Sequence, residues 1–173
     1  MTNEAESQRL RHTIRVSLGV FIVGLVLSGV TAFPLLLELQ LLCSWLGLPT
    51  DAAAANHTGL SHWLLLVREG LATTYARYPF IAYGTDWLAF GHIVIALFFV
   101  APWREPGEHT SVIRAGMVAC VLVIPLALVC GAIRGIPFYW RLIDSSFGVI
   151  GLVPLWIALR CSQRLRAIPS PGH

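Results

Sequence analysis

The sequence predicts an all-α fold: an integral membrane four-helix bundle with an additional amphipathic outer helix. Three observations carry that reading. Apolar residues make up 56% of the chain and charged ones 12%, against roughly a quarter charged in an ordinary soluble domain. Four stretches are apolar over close to the ~20 residues that a helix needs to cross a bilayer. Arginines, prolines and aromatic residues gather at the ends of those stretches, where a helix leaves lipid for water. A water-soluble domain of 173 residues has no interior large enough to hide this much apolar surface.

The first span covers about 13–33, with Arg9, Arg11 and Arg15 at its start and Pro34 as its stop. Residues 1–12 precede it as a short N-terminal segment. A basic start, an apolar core and Val30-Thr31-Ala32 also fit a cleaved signal peptide. The length of the apolar core, and the hydrophobic chain that follows, favour a span. Residues 35–48 stay apolar but carry Glu38 and Gln40. That stretch is too short to span and is either re-entrant or interfacial. After an alanine-rich break, Asn56-His57-Thr58 matches a glycosylation sequon, a pattern short enough to arise by chance. Leu60, Trp63, Leu64, Val67 and Leu71 then recur at i, i+3, i+4, i+7 and i+11, with Arg68, Glu69 and Arg77 off the stripe. This spacing predicts an amphipathic helix over 60–78, lying in the interface or capping the bundle. The whole of 35–82 is thus an outer amphipathic region.

The second span covers 83–103, after Pro79, and residues 104–108 form a tight polar turn. The third covers 111–130, with a kinking Pro125. Residues 131–144 read as a connection shaped by Gly135 and Pro137. The fourth covers about 143–160 with Pro154 inside it, and reaches full length only if it begins near Trp140. Residues 161–173 form a tail, expected to be disordered beyond Pro169. The membrane domain is therefore 13–160. No internal repeat is present, so an inverted-repeat transporter is not indicated.

All the basic residues are arginines. Arg9, Arg11, Arg15, Arg104, Arg114, Arg160, Arg164 and Arg166 fall on one side of a four-span arrangement; Arg68, Arg77, Arg134 and Arg141 fall on the other. The positive-inside rule then puts both termini in the cytoplasm of a bacterial inner membrane and region 35–82 outside. Trp87, Trp103, Tyr139, Trp140 and Trp156 stand near span ends, as in an aromatic belt. The net charge of +3 comes from scattered arginines rather than a basic face, which excludes a nucleic-acid partner.

Three places depart from a plain apolar bundle. The first is 83–92, where His92 lies six residues, about 9 Å, deeper than Asp86 along a helix and so within hydrocarbon. An ionisable residue there is a functional candidate unless it serves a plain interhelical hydrogen bond. Thr85, Ala89, His92, Ala96 and Phe99 share one face whose small residues allow close helix approach. His92 is expected to face other helices, with a polar partner from the first, third or fourth span or from water. The second is 134–144. Here Arg134 and Arg141 stand beside Tyr139 and Trp140, able to clasp a phosphate or carboxylate or simply to anchor the interface. Arg141 and Asp144 are spaced to pair on a helix, and Asp86 is expected within ion-pair reach of Arg134 or Arg141. The third is Glu38, which joins this outer charge cluster if 35–48 dips into the membrane. The candidate ligand-binding residues are therefore Glu38, Asp86, His92, Arg134, Trp140, Arg141 and Asp144.

No catalytic or metal-ligand set is assigned. Cys43, Cys120, Cys130 and Cys161 form no metal-ligand spacing and read as buried structural thiols. There is no HExxH, Gly-rich phosphate loop or nucleophile elbow. His62 is the candidate partner of His92 for haem, but one histidine within a span is a weak basis, so no cofactor is expected.

The residues from Asp86 to His92, Arg134-Gly135-Ile136-Pro137, Trp140-Arg141-Leu142-Ile143-Asp144 and Phe147-Gly148 resemble those of a family of small bacterial four-span integral membrane proteins. The resemblance covers about the last half of the chain. It implies the four-span fold and supplies no reaction, cofactor or catalytic residue.

Three functions compete. The first is a non-enzymatic binding or accessory protein with an outward polar pocket for an anionic lipid headgroup or small molecule. The second is a structural subunit of a larger membrane complex or homo-oligomer, docking through Gly19, Gly24, Gly29, Gly148 and Gly151. The third is a redox or haem-binding subunit using His92.

Overall fold

Glu4 and Glu6 open the first helix, where unpaired backbone N–H groups favour negative charge. Residues 7–18 contain no glycine or proline to interrupt it. In the computed structural model, which describes residues 3–48 and 54–168, α1 runs Asn3–Ala32. The segment expected to precede the first span is thus the start of the same helix. Thirty residues extend about 45 Å, well beyond the ~30 Å hydrocarbon layer.

Pro34 cannot continue the helix, and α2 restarts at once as Leu35–Trp45. Its 11 residues reach only about 16 Å, too short to cross. Gly47, at φ +69°, ends it. Gly47 N–H donates to the Ser44 carbonyl at 3.0 Å and Leu48 N–H to that of Cys43 at 2.9 Å, a Schellman motif that satisfies the last carbonyls of the helix. The alanine-rich break at 49–53 lies outside the described residues.

The amphipathic helix is present as α3, Gly59–Arg77. The expected stripe holds along most of its length: Leu64 is buried and Trp63, Val67 and Leu71 are half-buried. Leu64 and Leu65 are buried, while Leu60 is exposed; Ser61, Arg68, Ala72 and Tyr75 are half-buried along the same side. Two short elements cover α3: α2 and the 3-10 turn Ala54–Asn56.

After a 3-10 turn at Pro79–Ile81 come α4, Ala82–Phe98, and α5, Val100–Arg104. Pro102 has no N–H to give the Phe98 carbonyl, and its ring crowds that carbonyl, so the helix breaks one residue later. The four helices long and apolar enough to cross a membrane are Asn3–Ala32, Pro79–Arg104, Thr110–Ile133 and Phe138–Ala167, among the described residues. The last two are α6 and α7; Pro125 and Pro154 lie within them without ending them. The protein is all-α, with apolar helices suited to a lipid bilayer in a multi-pass arrangement.

The connection between α6 and α7 is far shorter than the expected 131–144. It is a second Schellman motif. Gly135, at φ +71°, donates to the Ala132 carbonyl at 3.1 Å and Ile136 N–H to that of Gly131 at 2.9 Å. Pro137 then caps α7, accepting from the Trp140 and Arg141 N–H groups. Trp140, Arg141 and Asp144 therefore lie on helix, not in a loop. At the other end α7 continues through Ala167, so the expected tail is largely helix; residues 169–173 lie outside the described set. Arg164 and Arg166 in its last turn complement the helix dipole. Gly135→Ala is expected to cost about 1 kcal/mol, because an L side chain resists positive φ. Gly70→Ala, in the middle of α3 with nothing within 4 Å of a new Cβ, is expected to gain about 0.5–1 kcal/mol. Thermal unfolding in mild detergent reads both signs.

The chain divides into two compact units, Met1–Leu25 with Ile95–His173, and Val26–Val94. In the first, Ile14, Leu18, Phe99, Ile113, Cys120, Leu155, Ala158 and Leu165 form one core, drawn from α1, the α4–α5 break, α6 and α7. Phe21 meets Phe99 edge-on at 4.7 Å. At one end, Arg11 donates to the Pro106 carbonyl at 3.5 Å and Arg15 to that of Arg104 at 3.4 Å. Arg166 reaches Glu108 at 3.5 Å. These contacts bring the start of α1, the 105–109 turn and the end of α7 together, opposite the Gly135 turn.

The glycines expected as external docking faces are mostly used inside the units. A Cβ on Gly148 would strike the Cys120 carbonyl of α6, and one on Gly151 would lie 3.0 Å from the Cys120 Sγ. Gly19 faces Trp103 at 3.6 Å. In the second unit, a Cβ on Gly29 would meet the Ala89 carbonyl at 2.8 Å. Gly24 alone among these five has nothing within 4 Å. The cysteines are free; Cys43 and Cys120 are buried as expected, whereas Cys161 is half-exposed and Cys130 exposed on the outer surface of α6.

Candidate functional site

The seven candidate residues divide between the units. Glu38, Asp86 and His92 belong to the second; Arg134, Trp140, Arg141 and Asp144 belong to the first.

In the second unit, Ala89 is fully buried on α4, and Asp86, Thr85 and His92 are half-buried beside it. This is the small-residue face read from the sequence, and α1 approaches it at Gly29. A Cβ there would lie 3.2 Å from the His92 Cβ. The polar partner of His92, however, is not another span. Nδ1 lies 2.8 Å from the Leu88 carbonyl of its own helix. A helix carbonyl one turn back is always within reach of such a ring, so this partner needs no second helix. His62 is held alike, its Nδ1 2.8 Å from the Ala54 carbonyl. A carbonyl only accepts, so in both contacts the ring donates through Nδ1–H. Thr85 Oγ1 donates to the Ala82 carbonyl at 2.7 Å and lies 3.3 Å from the Tyr75 hydroxyl of α3. Glu38 is half-buried on α2. Among the described residues, no three His, Cys, Asp or Glu side chains are grouped as for a metal ion.

In the first unit the site is the Gly135 turn and the opening of α7. Arg134 is the exposed C-cap of α6. Arg141 folds back across α6. Its NH1 group donates to the Leu128 carbonyl at 3.1 Å, and the guanidinium carbon lies 5.2 Å from the Phe138 ring centroid. Its stem crosses Gly131, where a Cβ would come within 2.6 Å of Cγ. The Arg141 Nε–H is buried with no acceptor. The expected Arg141–Asp144 pair is not made; the acid–base contacts of this unit are the Glu105–His109 hydrogen bond and the Glu108–Arg166 ion pair, among the described residues. Ser145 donates to the Arg141 carbonyl at 2.8 Å and is buried. The result is a turn bearing two guanidinium groups that no acidic side chain of the unit pairs with among the described residues, with Phe138, Tyr139 and Trp140 following it in the chain.

Leu128, Gly131 and Phe138 escape the sequence reading. A backbone carbonyl acceptor has no residue signature. Gly131 has one: it and Arg141 are nearly equidistant from the turn centre, as facing positions of a helical hairpin must be.

No protein-family model, no curated protein and no solved structure matches this chain.

Proposed function

We propose that this is a non-enzymatic binding or accessory protein of a bacterial inner membrane, with both termini cytoplasmic and a site for an anionic headgroup or small molecule. The site is the α6–α7 turn, with Arg134 and Arg141 as the cations and Trp140 as the interfacial anchor. The carrying observation is the two guanidinium groups on one turn that no acidic side chain of the unit pairs with, among the described residues. The Schellman motif fixes the backbone, and the Phe138 ring and Gly131 fix the Arg141 stem. An arrangement fixed beforehand loses little freedom when an anion arrives, and guanidinium matches a phosphate or carboxylate with paired hydrogen bonds.

The test is native mass spectrometry of the full chain released from mixed phosphatidylcholine and phosphatidylglycerol. Arg134→Gln is expected to remove one retained anionic lipid and leave the zwitterionic lipid unchanged. Unchanged retention of phosphatidylglycerol would defeat the reading.

A second reading, a redox or haem subunit, has one observation in its favour: the rings of His62 and His92 are each oriented by a backbone carbonyl on Nδ1, as metal-ligating histidines commonly are. Protein purified after growth with haem precursor would then show a Soret band that His92→Ala abolishes; a colourless preparation would count against it.

A further inference from the structure

The opposite end of the first unit carries a separate feature. Eight arginines lie towards that end or in the helices leading to it, and several are already engaged. Arg11 and Arg15 bind carbonyls of the 104–106 stretch, and Arg166 binds Glu108. Arg160 and Arg164 share the lack of such a partner with Arg9, Arg104 and Arg114, and differ from those three in standing on one face of α7 with Trp156. Neither guanidinium has an acceptor among the described residues, and both are exposed. They line a shallow groove of about 280 Å³ with Trp156, Ile157 and Cys161.

The groove follows from helix periodicity. Trp156, Arg160 and Arg164 stand at i, i+4 and i+8 of α7, so they form one ridge. Arg160 lies over the Trp156 ring, 5.5 Å from its centroid, which holds the cation against an aromatic wall. Moving back along α7 from Arg164 to Trp156, the lining changes from cationic to apolar over about 12 Å. The exposed surface continues as Val153, Ile150 and Val149. A ligand for this groove needs an anionic head at one end and an apolar body at the other.

We infer that the Trp156–Arg160–Arg164 groove is a binding site for an anionic phospholipid. Its phosphate sits between Arg160 and Arg164, and its acyl chains run along Trp156 and Ile157 toward the middle of α7. A basic pocket at the edge of a membrane span attracts anionic headgroups in this way. The inference does not rest on the site at the Gly135 turn. That site lies at the other end of α6 and α7, and the two are separable by mutation.

The experiment is native mass spectrometry of the full-length protein from nanodiscs of phosphatidylcholine with increasing phosphatidylglycerol. Two juxtamembrane cations are worth roughly fivefold each in affinity. Arg160→Gln with Arg164→Gln is therefore expected to raise the phosphatidylglycerol needed for half-retention by about 25-fold, and to remove one bound lipid. Arg114→Gln removes the same charge from an exposed position outside the groove and is expected to leave retention unchanged. Arg134→Gln should subtract a different lipid, additively. If Arg114→Gln weakens retention as much as Arg164→Gln alone, the effect is a general field and the groove is not a site. Equal retention of phosphatidylcholine, or retention unaffected by the double variant, would also overturn the inference. If the double variant does not fold, Arg164→Gln alone gives the same reading at about fivefold.

Discussion

Gly148→Ala is expected to cost about 3 kcal/mol, more than any other single methyl added to this protein. The new Cβ would be driven into the Cys120 carbonyl, and it would also lie 3.4 Å from Ile124. The obstacle is backbone, so no side-chain rotation relieves it. α6 and α7 would have to separate where they are closest, withdrawing Cys120 and Leu155 from the core. Gly84→Ala is the control, since nothing lies within 4 Å of a Cβ there. Thermal unfolding in mild detergent should show a midpoint lowered by several degrees for the first and unchanged or raised for the second. Equal midpoints would mean that the helices do not meet at Gly148.

Arg141→Ala carries the second large effect. It removes a charged hydrogen bond to the Leu128 carbonyl, a cation over Phe138 and the stem that covers Gly131. A hydrogen bond to a charged group contributes about 1.5–3 kcal/mol and an exposed cation–π contact about 0.5–1 kcal/mol. The buried Nε–H without an acceptor works against these, so the expected net loss is about 2 kcal/mol. Arg141→Met separates packing from charge, because it keeps an apolar stem over Gly131. Its expected loss is about half that of alanine. Equal losses for Met and Ala would assign the effect wholly to the guanidinium. No loss in either would show that Arg141 does not pin α6 to α7.

The four apolar helices were legible because hydropathy over ~20 residues reports what lipid demands. Their true ends were less so. Hydropathy falls off at Arg9 and Arg164, yet the backbone remains helical through both. Pro137 and Gly135 marked the turn correctly, but the aromatic and charged residues after it looked like a loop until a helix starting at Phe138 absorbed them. The α3 stripe showed a helix and most of its covered side, but not the burial of Leu65 beside it, since the partners there are two short elements with no signal of their own. The site residues followed the same pattern. His92 and Arg141 stood out as polar groups in apolar surroundings, and both are held by backbone carbonyls. Carbonyls are identical at every residue, so no sequence names which one serves.

Membrane topology is the claim on which both binding sites depend for their leaflet. The proposed orientation rests on the eight-to-four division of arginines, from which the positive-inside rule predicts a cytoplasmic N-terminus and C-terminus and an outward-facing residue 51. The most direct measurement is a reporter active only in the cytoplasm, fused after His173 in one copy of the chain and inserted at Asp51 in another; both positions lie outside the described residues. Activity at His173 and none at Asp51 is the predicted result. Activity at Asp51, or silence at His173 in a stably expressed fusion, would contradict it.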